Sequence, residues 1–367
     1  MMSKNTARTA AFRCTTASVR LSTDIPGVVD QARSVLYSYD ELPPTEAGCW
    51  QVSLVKDPDV ADDPHATTSG SREFDIGPDT YAYQHSTGSG NVFWVPARRT
   101  VLHADPAARV IRARCASRTA ALDWAPRLVR QAMTSQLLTA GMVYTHAAAF
   151  TYAGHGVLVA GNRGRGKTTT LLATLHYLGG NYSTNDRLML HADGETLTGY
   201  PWPMPLRAGI GTLTALPHLR HLVPLEQQRL TAPQRWAFTT KTVVDPPDFP
   251  TLMQPDASVA RHLPVTVTIW PELDPDRTSV SVKRVEAAEV EQTLINTGLF
   301  MHDLHRGTSA HTNQWLAPAP PDPVLRTNLE VTAAALAARP CFRVTAGADP
   351  AALAAAVGRI LERQETP

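Results

Sequence analysis

The chain has 367 residues, of which 43% are hydrophobic, and its formal net charge is +1. That length allows two domains, and the near-neutral charge gives no overall reason to expect nucleic acid, an acidic membrane or another polyanionic partner. The four cysteines lie far apart without metal-ligand spacing, and no uncharged apolar run approaches the roughly 18 residues of a membrane span. These features predict a reduced, cytoplasmic enzyme or binding protein with no membrane association. A homo-oligomer is possible, and the sequence does not decide the oligomeric state.

The first part of the chain is predicted to be rich in β-strands. Short alternating apolar stretches, separated by turn residues, extend from residue 12 to residue 118. Residues 81–85 and 91–95 flank a Thr-Gly-Ser-Gly turn and predict a hairpin, and residues 27–39 predict a helix. We therefore expect a β-rich N-terminal domain over residues 1–118, and nothing in its sequence indicates catalysis.

The second predicted domain covers residues 119–367 and opens with a helix over residues 124–140. Strands are expected at residues 142–152 and 156–160, and hairpins at residues 181–200 and 265–285. Residues 227–255 suggest loops with one helical turn. Asp-Pro pairs start two further helices, over residues 322–338 and 349–363, around a short strand at residues 341–345. The domain is thus predicted to be α/β, with antiparallel strands among its helices.

A phosphate-binding loop is predicted at residues 161–168, GNRGRGKT, between an apolar strand and a helix. Its glycines allow successive backbone N–H groups to turn towards a phosphate chain, and the positive end of the following helix faces the anion. Lys167 is expected to reach the outer phosphates, and the Thr168 hydroxyl to bind Mg²⁺. The predicted nucleotide contacts are Gly161, Asn162, Arg163, Gly164, Arg165, Gly166, Lys167, Thr168 and Thr169.

Two residues outside the loop are candidates for phosphoryl-transfer chemistry. Asp186 follows the next predicted strand and is expected to hold Mg²⁺ beside the phosphates together with Thr168. His146 lies in the predicted strand before the loop, where a histidine is either a core residue or a catalytic one. A metal-binding carboxylate at Glu272, in VTVTIWPE, is a weaker candidate than a plain core strand.

Other polar residues near these motifs remain open to more than one interpretation. Four arginines have two possible interpretations. They are candidate phosphate contacts, since the guanidinium fork binds phosphate oxygens in pairs, or they are solvated loop residues. They are Arg163, Arg165, Arg187 and Arg207. The segment HDLHRGTSAHTNQW, residues 302–315, suits a zinc site, a substrate-contacting loop or an ordinary exposed loop.

The combination HAAAFTYAGHGVLVAGNRGRGKTTTLL, STNDRL and GYPWPMPL resembles the HPr kinase/phosphorylase superfamily, especially the HPr-kinase-like proteins of peptide natural-product clusters. The resemblance covers residues 141–216 well. It implies a compact mixed-sheet P-loop core of the kind shared with phosphoenolpyruvate carboxykinases. It also implies a functional histidine fifteen residues before the first loop glycine, which is the position of His146.

The family's paired acidic residues fall on Asn185 and Asp186, so only the second carboxylate is present. The resemblance makes the first acidic residue the acid/base for the acceptor hydroxyl, and Asn185 cannot accept that proton. The C-terminal phosphate-binding motif of the true HPr enzymes has no convincing match, so the reverse phosphorylase reaction is not predicted.

The leading hypothesis is an ATP-dependent, Mg²⁺-using kinase that phosphorylates a hydroxyl of a peptide or small natural product. His146, Asp186 and Lys167 are its predicted catalytic residues. A second hypothesis is a nucleotide-dependent binding protein without phosphotransfer, and a third is phosphotransfer to a nitrogen nucleophile. The preference for ATP over GTP and the identity of the acceptor stay open.

Overall fold

The structure is a computed structural model that describes residues 8–43, 49–62, 72–77, 80–87, 90–296, 299–301 and 316–364. The chain divides into two compact units. The first comprises residues 1–141 with 302–325, and the second comprises residues 142–301 with 326–367. None of the described helices combines the length and apolar character needed to cross a membrane.

The first unit contains one sheet of nine described strands in the order β3-β1-β2-β4-β9-β8-β7-β6-β5. The predicted hairpin over residues 81–95 is confirmed, since β6 and β7 pair antiparallel. Pairs β2–β4 and β4–β9 are parallel, so the sheet is mixed. Its strands are β1 (Arg8–Cys14), β2 (Ala17–Thr23), β3 (Asp40–Leu42), β4 (Trp50–Lys56), β5 (Arg72–Gly77), β6 (Thr80–Thr87), β7 (Gly90–Val95), β8 (Thr100–Asp105) and β9 (Val110–Cys115).

Two helices, α1 (Val28–Val35) and α2 (Arg118–Thr139), pack against each other and against β2. The sequence predicted α2 from residue 124, but the helix starts earlier because the Ser117 side chain caps it by accepting a hydrogen bond from the Ala120 amide at 3.1 Å. The predicted domain boundary preceded this helix. In the structure α2 lies in the first unit, since its apolar face packs on β2, β4 and β9.

The second unit is a mixed sheet in the order β10-β14-β15-β18-β12-β11-β13, with β20 beside β18 and β19 beside β20. Strands β16 and β17 form a separate two-stranded antiparallel sheet. The α/β mixed-sheet prediction is therefore confirmed at this level. The strands are β10 (Val143–Thr145), β11 (Ala148–Tyr152), β12 (His155–Val159), β13 (Asn181–Thr184), β14 (Leu188–Asp193), β15 (Thr196–Pro201), β16 (Leu206–Gly209), β17 (Lys241–Val244), β18 (Leu263–Leu273), β19 (Ser281–Arg284) and β20 (Cys341–Ala346).

The helices that follow the phosphate loop and end the chain agree with prediction. The Asp349 side chain caps α9 by accepting from the amides of Ala351 and Ala352. Helix α9 packs along α3, which begins at the last residues of the phosphate loop. The helices are α3 (Lys167–Tyr177), α4 (Ile210–Ala215), α5 (Leu225–Gln228), α6 (Ala232–Ala237), α7 (Ala287–Asn296), α8 (Asp322–Ala337) and α9 (Pro350–Glu362).

Two predictions about this unit were wrong. Strands β18 and β19 do not form a hairpin, because β20 lies between them, parallel to β18 and antiparallel to β19. Residues 227–255 contain helix α6 and strand β17 rather than loops with one turn. Thr231 and Gln234 form a capping box at the start of α6, and that Thr-x-x-Gln pattern is the sequence signal that was missed.

Two predicted long strands are each interrupted, and the interruptions lie opposite one another. Residues 142–152 form β10 and β11 with His146 and Ala147 between them, and residues 181–191 form β13 and β14 with residues 185–187 between them. Strand β10 pairs with β14 and β11 pairs with β13, both antiparallel. The two breaks therefore face each other across the sheet, which brings the polar side chains at residues 146 and 185–187 together.

Candidate phosphate-binding site

The loop between β12 and α3 has the backbone conformation that its glycines were expected to permit. Gly161, Gly164 and Gly166 have φ values of 139°, 81° and 106°, a region that favours glycine. A Cβ atom on Gly166 would lie 2.5 Å from Cγ of Leu273. Both the left-handed backbone and this close approach therefore require glycine at position 166.

Lys167 is buried at the base of the loop, with only 7% of its surface exposed. Its ammonium donates hydrogen bonds to the carbonyl oxygens of Gly161 at 2.6 Å and Asn162 at 3.3 Å. Burial lowers the pKa of Lys167 to about 8, although the charge of Asp186 acts in the opposite direction. The loop thus holds a desolvated cation whose charge an anionic ligand would stabilise.

The N-terminus of α3 opens on a cavity of about 300 Å³. No side chain caps the helix at Gly166, so the positive end of the helix dipole faces this space. The loop side of the cavity is formed by Arg163, Gly164, Gly166, Lys167, Thr168 and Thr169.

A second wall of the same cavity carries the residues from the two strand breaks, which are His146, Asn185 and Asp186. Nε2 of His146 lies 2.9 Å from Oδ1 of Asp186, and both side chains are about 30% exposed (31% and 30%). This bond identifies Nε2 as the protonated nitrogen when the imidazole is neutral, and it leaves the lone pair on Nδ1. The cavity therefore contains an imidazole oriented by a carboxylate, together with the glycine-rich loop.

Arg187 holds the other oxygen of the same carboxylate. Its Nε lies 3.1 Å from Oδ2 of Asp186, while its Nη1 donates to the Tyr144 hydroxyl at 3.2 Å. The guanidinium also lies over the rings of Tyr144 and Trp202, at 5.5 and 5.9 Å from their centroids. Arg187 thus fixes the carboxylate and is itself fixed by two aromatic rings.

The charge state of Asp186 follows from these contacts. Burial alone would raise the pKa of its carboxyl, but the hydrogen bond and charge of His146, together with Arg187, hold the pKa well below its ordinary range. Asp186 therefore stays ionised at neutral pH. A carboxylate whose conjugate acid has so low a pKa is a poor proton acceptor. Asp186 can instead orient His146 and offer its oxygen atoms to a cation.

Asn185 faces the same cavity but is only 4% exposed. Its Oδ1 accepts a hydrogen bond from the buried hydroxyl of Tyr182 at 3.0 Å. An amide cannot take up a proton, and this one is held by a neighbour, so the side chain at position 185 has no acid/base function.

The donor set fits a magnesium ion. Thr168 and Asp186, the two predicted ligands, line one cavity and offer the hard oxygen atoms that Mg²⁺ prefers. In the described part of the chain, no three His, Cys, Asp or Glu side chains are grouped to hold a metal by themselves. A metal here would therefore share its coordination with phosphate oxygens, as Mg²⁺ in nucleotide sites does. The predicted histidine-rich segment, residues 302–315, lies outside the described residues.

Three predicted nucleotide contacts do not line this cavity. Gly161, Asn162 and Arg165 face a second cavity of about 360 Å³ on the other side of the loop, with Glu272 and Arg343. Glu272 is on β18, which is parallel to the strand that leads into the loop, but its carboxylate lies 3.3 Å from Nε of Arg343. A metal-binding role for Glu272 thus gains no support. Arg207 lines neither cavity.

A third wall of the first cavity was not predicted. It is formed by Gly209, Thr212, Trp236, Phe238, Thr239 and Lys241. The wall is tied to the loop because the hydroxyls of Thr212 and Thr169 are 2.7 Å apart. No local sequence signal links residues 236–241 to the loop, which lies about seventy residues earlier in the chain.

Neither a protein-family model nor a curated protein matches the sequence. Among solved structures, part of the chain is similar to the Hpr(Ser) kinase/phosphatase from Coxiella burnetii, at 18% identity. That match covers 38% of this chain and 76% of the other, with a TM-score of 0.21. No conclusion about fold or activity follows from a likeness at this level.

Proposed function

We propose that this protein is an ATP-dependent phosphotransferase of the HPr-kinase-like kind, which moves the γ-phosphoryl group to a hydroxyl of a peptide or small natural product. One observation carries the proposal: the glycine loop with its buried Lys167 and the His146–Asp186 pair line a single cavity. A nucleotide-binding loop alone would suit a switch or sensor equally well. A base oriented by a carboxylate next to that loop favours chemistry.

The loop and Lys167 bind the triphosphate. The unblocked amides at the start of α3 face the cavity, and Lys167 exchanges its bonds to the loop carbonyls for bonds to the outer phosphates. Phosphoryl transfer depends mainly on positioning and on stabilising charge, and these groups supply both. Thr168 and Asp186 hold Mg²⁺, which when bound neutralises part of the phosphate charge.

His146 takes the role of the missing carboxylate at position 185. Its Nδ1 removes the proton from the acceptor hydroxyl, and Asp186 stabilises the resulting imidazolium through the 2.9 Å contact with Nε2. Arg187 keeps the Asp186 carboxylate in that orientation. The proposal thus accounts for an active site in which residue 185 is an asparagine.

The test measures Mg-ATP binding and ATP consumption with candidate hydroxyl acceptors, for wild type and for three variants. Lys167→Ala is expected to lose Mg-ATP binding. His146→Ala is expected to retain binding but to lower kcat by about 100-fold or more, which is the usual contribution of a general base. His191→Ala, which changes a histidine on β14 that lines neither cavity, is the matched control and should behave as wild type.

Other results would lead to different conclusions. Equal Mg-ATP binding by wild type and Lys167→Ala would show that the loop is not the phosphate site. In a second result, wild type binds Mg-ATP tightly and transfers phosphate to no acceptor, while Asn185→Asp gains the transfer activity. That result would indicate that the natural protein is a nucleotide-dependent binding protein. Mass spectrometry of the product would separate a phosphorylated hydroxyl from a phosphorylated nitrogen.

A further inference from the structure

The third wall of the first cavity, which adjoins the start of α3, contains a lysine with no evident structural role. Lys241 is the first residue of β17, where it pairs with Gly209 of β16. Its side chain is exposed, lines the cavity, and has no ion-pair partner among the described residues. An exposed lysine is usually surrounded by water, so its presence on this wall needs a second argument.

The charges around the cavity supply that argument. Lys167, Lys241 and Arg163 face it, and Asp186 is the carboxylate that lines it. Like charges that share one cavity repel each other, and a bound anion offsets that repulsion.

The two-stranded sheet that carries Lys241, formed by β16 and β17, is also held in place relative to the loop. Strand β16 leads directly into α4, where the Thr212 hydroxyl lies 2.7 Å from that of Thr169 on α3. Trp236 packs against Gly211 of α4, since a Cβ atom there would lie 2.7 Å from the indole ring. Lys241 is thus connected to α3 through β16 and α4, and its side chain lines the same cavity as the loop.

We infer that Lys241 is a second phosphate-binding cation, which contacts the outermost phosphate of the nucleotide and stabilises the charge of the phosphoryl group during transfer. This inference rests on the proposed function. In that reaction the acceptor oxygen forms a bond to the γ-phosphorus, and the bond from the γ-phosphorus to the β,γ-bridging oxygen breaks. The bridging oxygen keeps the electron pair as ADP leaves, and the acceptor proton passes to His146. Lys241 and Lys167, which line the same cavity, both contact the γ-phosphoryl group.

The experiment compares the affinities of wild type, Lys241→Gln, Lys241→Arg and Lys283→Gln for Mg-ATP and Mg-ADP by calorimetry. Lys283 is an exposed lysine of β19 in the same unit and lines neither cavity, so it controls for net charge. We expect Lys241→Gln to weaken Mg-ATP binding about three- to tenfold, and Mg-ADP binding less than twofold. Lys241→Arg should restore most of the Mg-ATP affinity, and Lys283→Gln should change neither.

A second readout is the rate of ATP consumption at saturating Mg-ATP, where Lys241→Gln should lower kcat and Lys241→Arg should largely restore it. Unchanged affinity and kcat in Lys241→Gln, with normal binding by wild type, would overturn the role of Lys241 and leave the proposed function intact. An equal loss of affinity for Mg-ATP and Mg-ADP would also overturn the role of Lys241, since only ATP carries the γ-phosphate that Lys241 is proposed to contact. If wild type binds neither nucleotide, the proposed function itself fails.

Discussion

Replacing Lys167 by methionine tests whether the loop holds an ammonium group whose charge is destabilised by burial. The side chain is 7% exposed, and burial lowers its pKa from the ordinary 10.5 to about 8. Between these two pH values the unfolded chain holds one proton more than the folded protein. The free energy of unfolding of wild type therefore rises with pH in this window, and the cost of burying the charged lysine is fully present below pH 8.

The magnitude follows from the size of the pKa shift. At about 1.36 kcal/mol per pKa unit, the lowering of the Lys167 pKa corresponds to about 3 kcal/mol across the window. Lys167→Met removes the titrating group at nearly constant volume. Groups that are not coupled to Lys167 titrate equally in both proteins, so the difference in free energy of unfolding between wild type and variant reports on Lys167 and on the charges coupled to it.

The assay is urea unfolding without nucleotide, at pH values from below about 8 to above about 10.5, for wild type, Lys167→Met and the exposed control Lys283→Met. We expect wild type to gain up to about 3 kcal/mol over Lys167→Met as pH rises, and Lys283→Met to remain parallel to wild type. A constant difference between wild type and Lys167→Met at all pH values would refute the view that the lysine is held in a desolvated, charge-destabilised state.

Three further changes have defined outcomes. Gly166→Ala places a Cβ 2.5 Å from Cγ of Leu273 at a φ of 106°. The free energy of unfolding, measured by thermal unfolding, should therefore fall by about 1–3 kcal/mol. An unchanged transition would contradict the close packing at this position. Asp186→Asn should lower ATP consumption about 100-fold or more by misorienting the base, and wild-type rates would exclude that role. Burial lowers the pKa of His218 to about 4, so the free energy of unfolding should fall by on the order of 1 kcal/mol from about pH 6.5 to pH 4. His218→Phe should abolish that part of the pH dependence, and an unaltered slope would contradict it.

Much of the local structure could be predicted because it depends on neighbours in the chain. The loop glycines with positive φ, the Asp349 cap of α9 and the pairing of β6 with β7 each involve residues close together in the sequence. Alternation and capping signals report such contacts directly. The prediction failed where pairing was non-local, as for β18 and β19, because β20 comes some sixty residues later and inserts between them.

The candidate site divides in the same way. The sequence alone predicted a phosphate-binding loop at residues 161–168, followed by a helix, since the glycine spacing and the helix are local properties. Only the tertiary structure decided that His146 contacts Asp186, because that contact requires two strand breaks to face each other across the sheet. The wall with Lys241 was likewise beyond prediction, since packing between distant segments, rather than any repeating pattern, brings it to the loop.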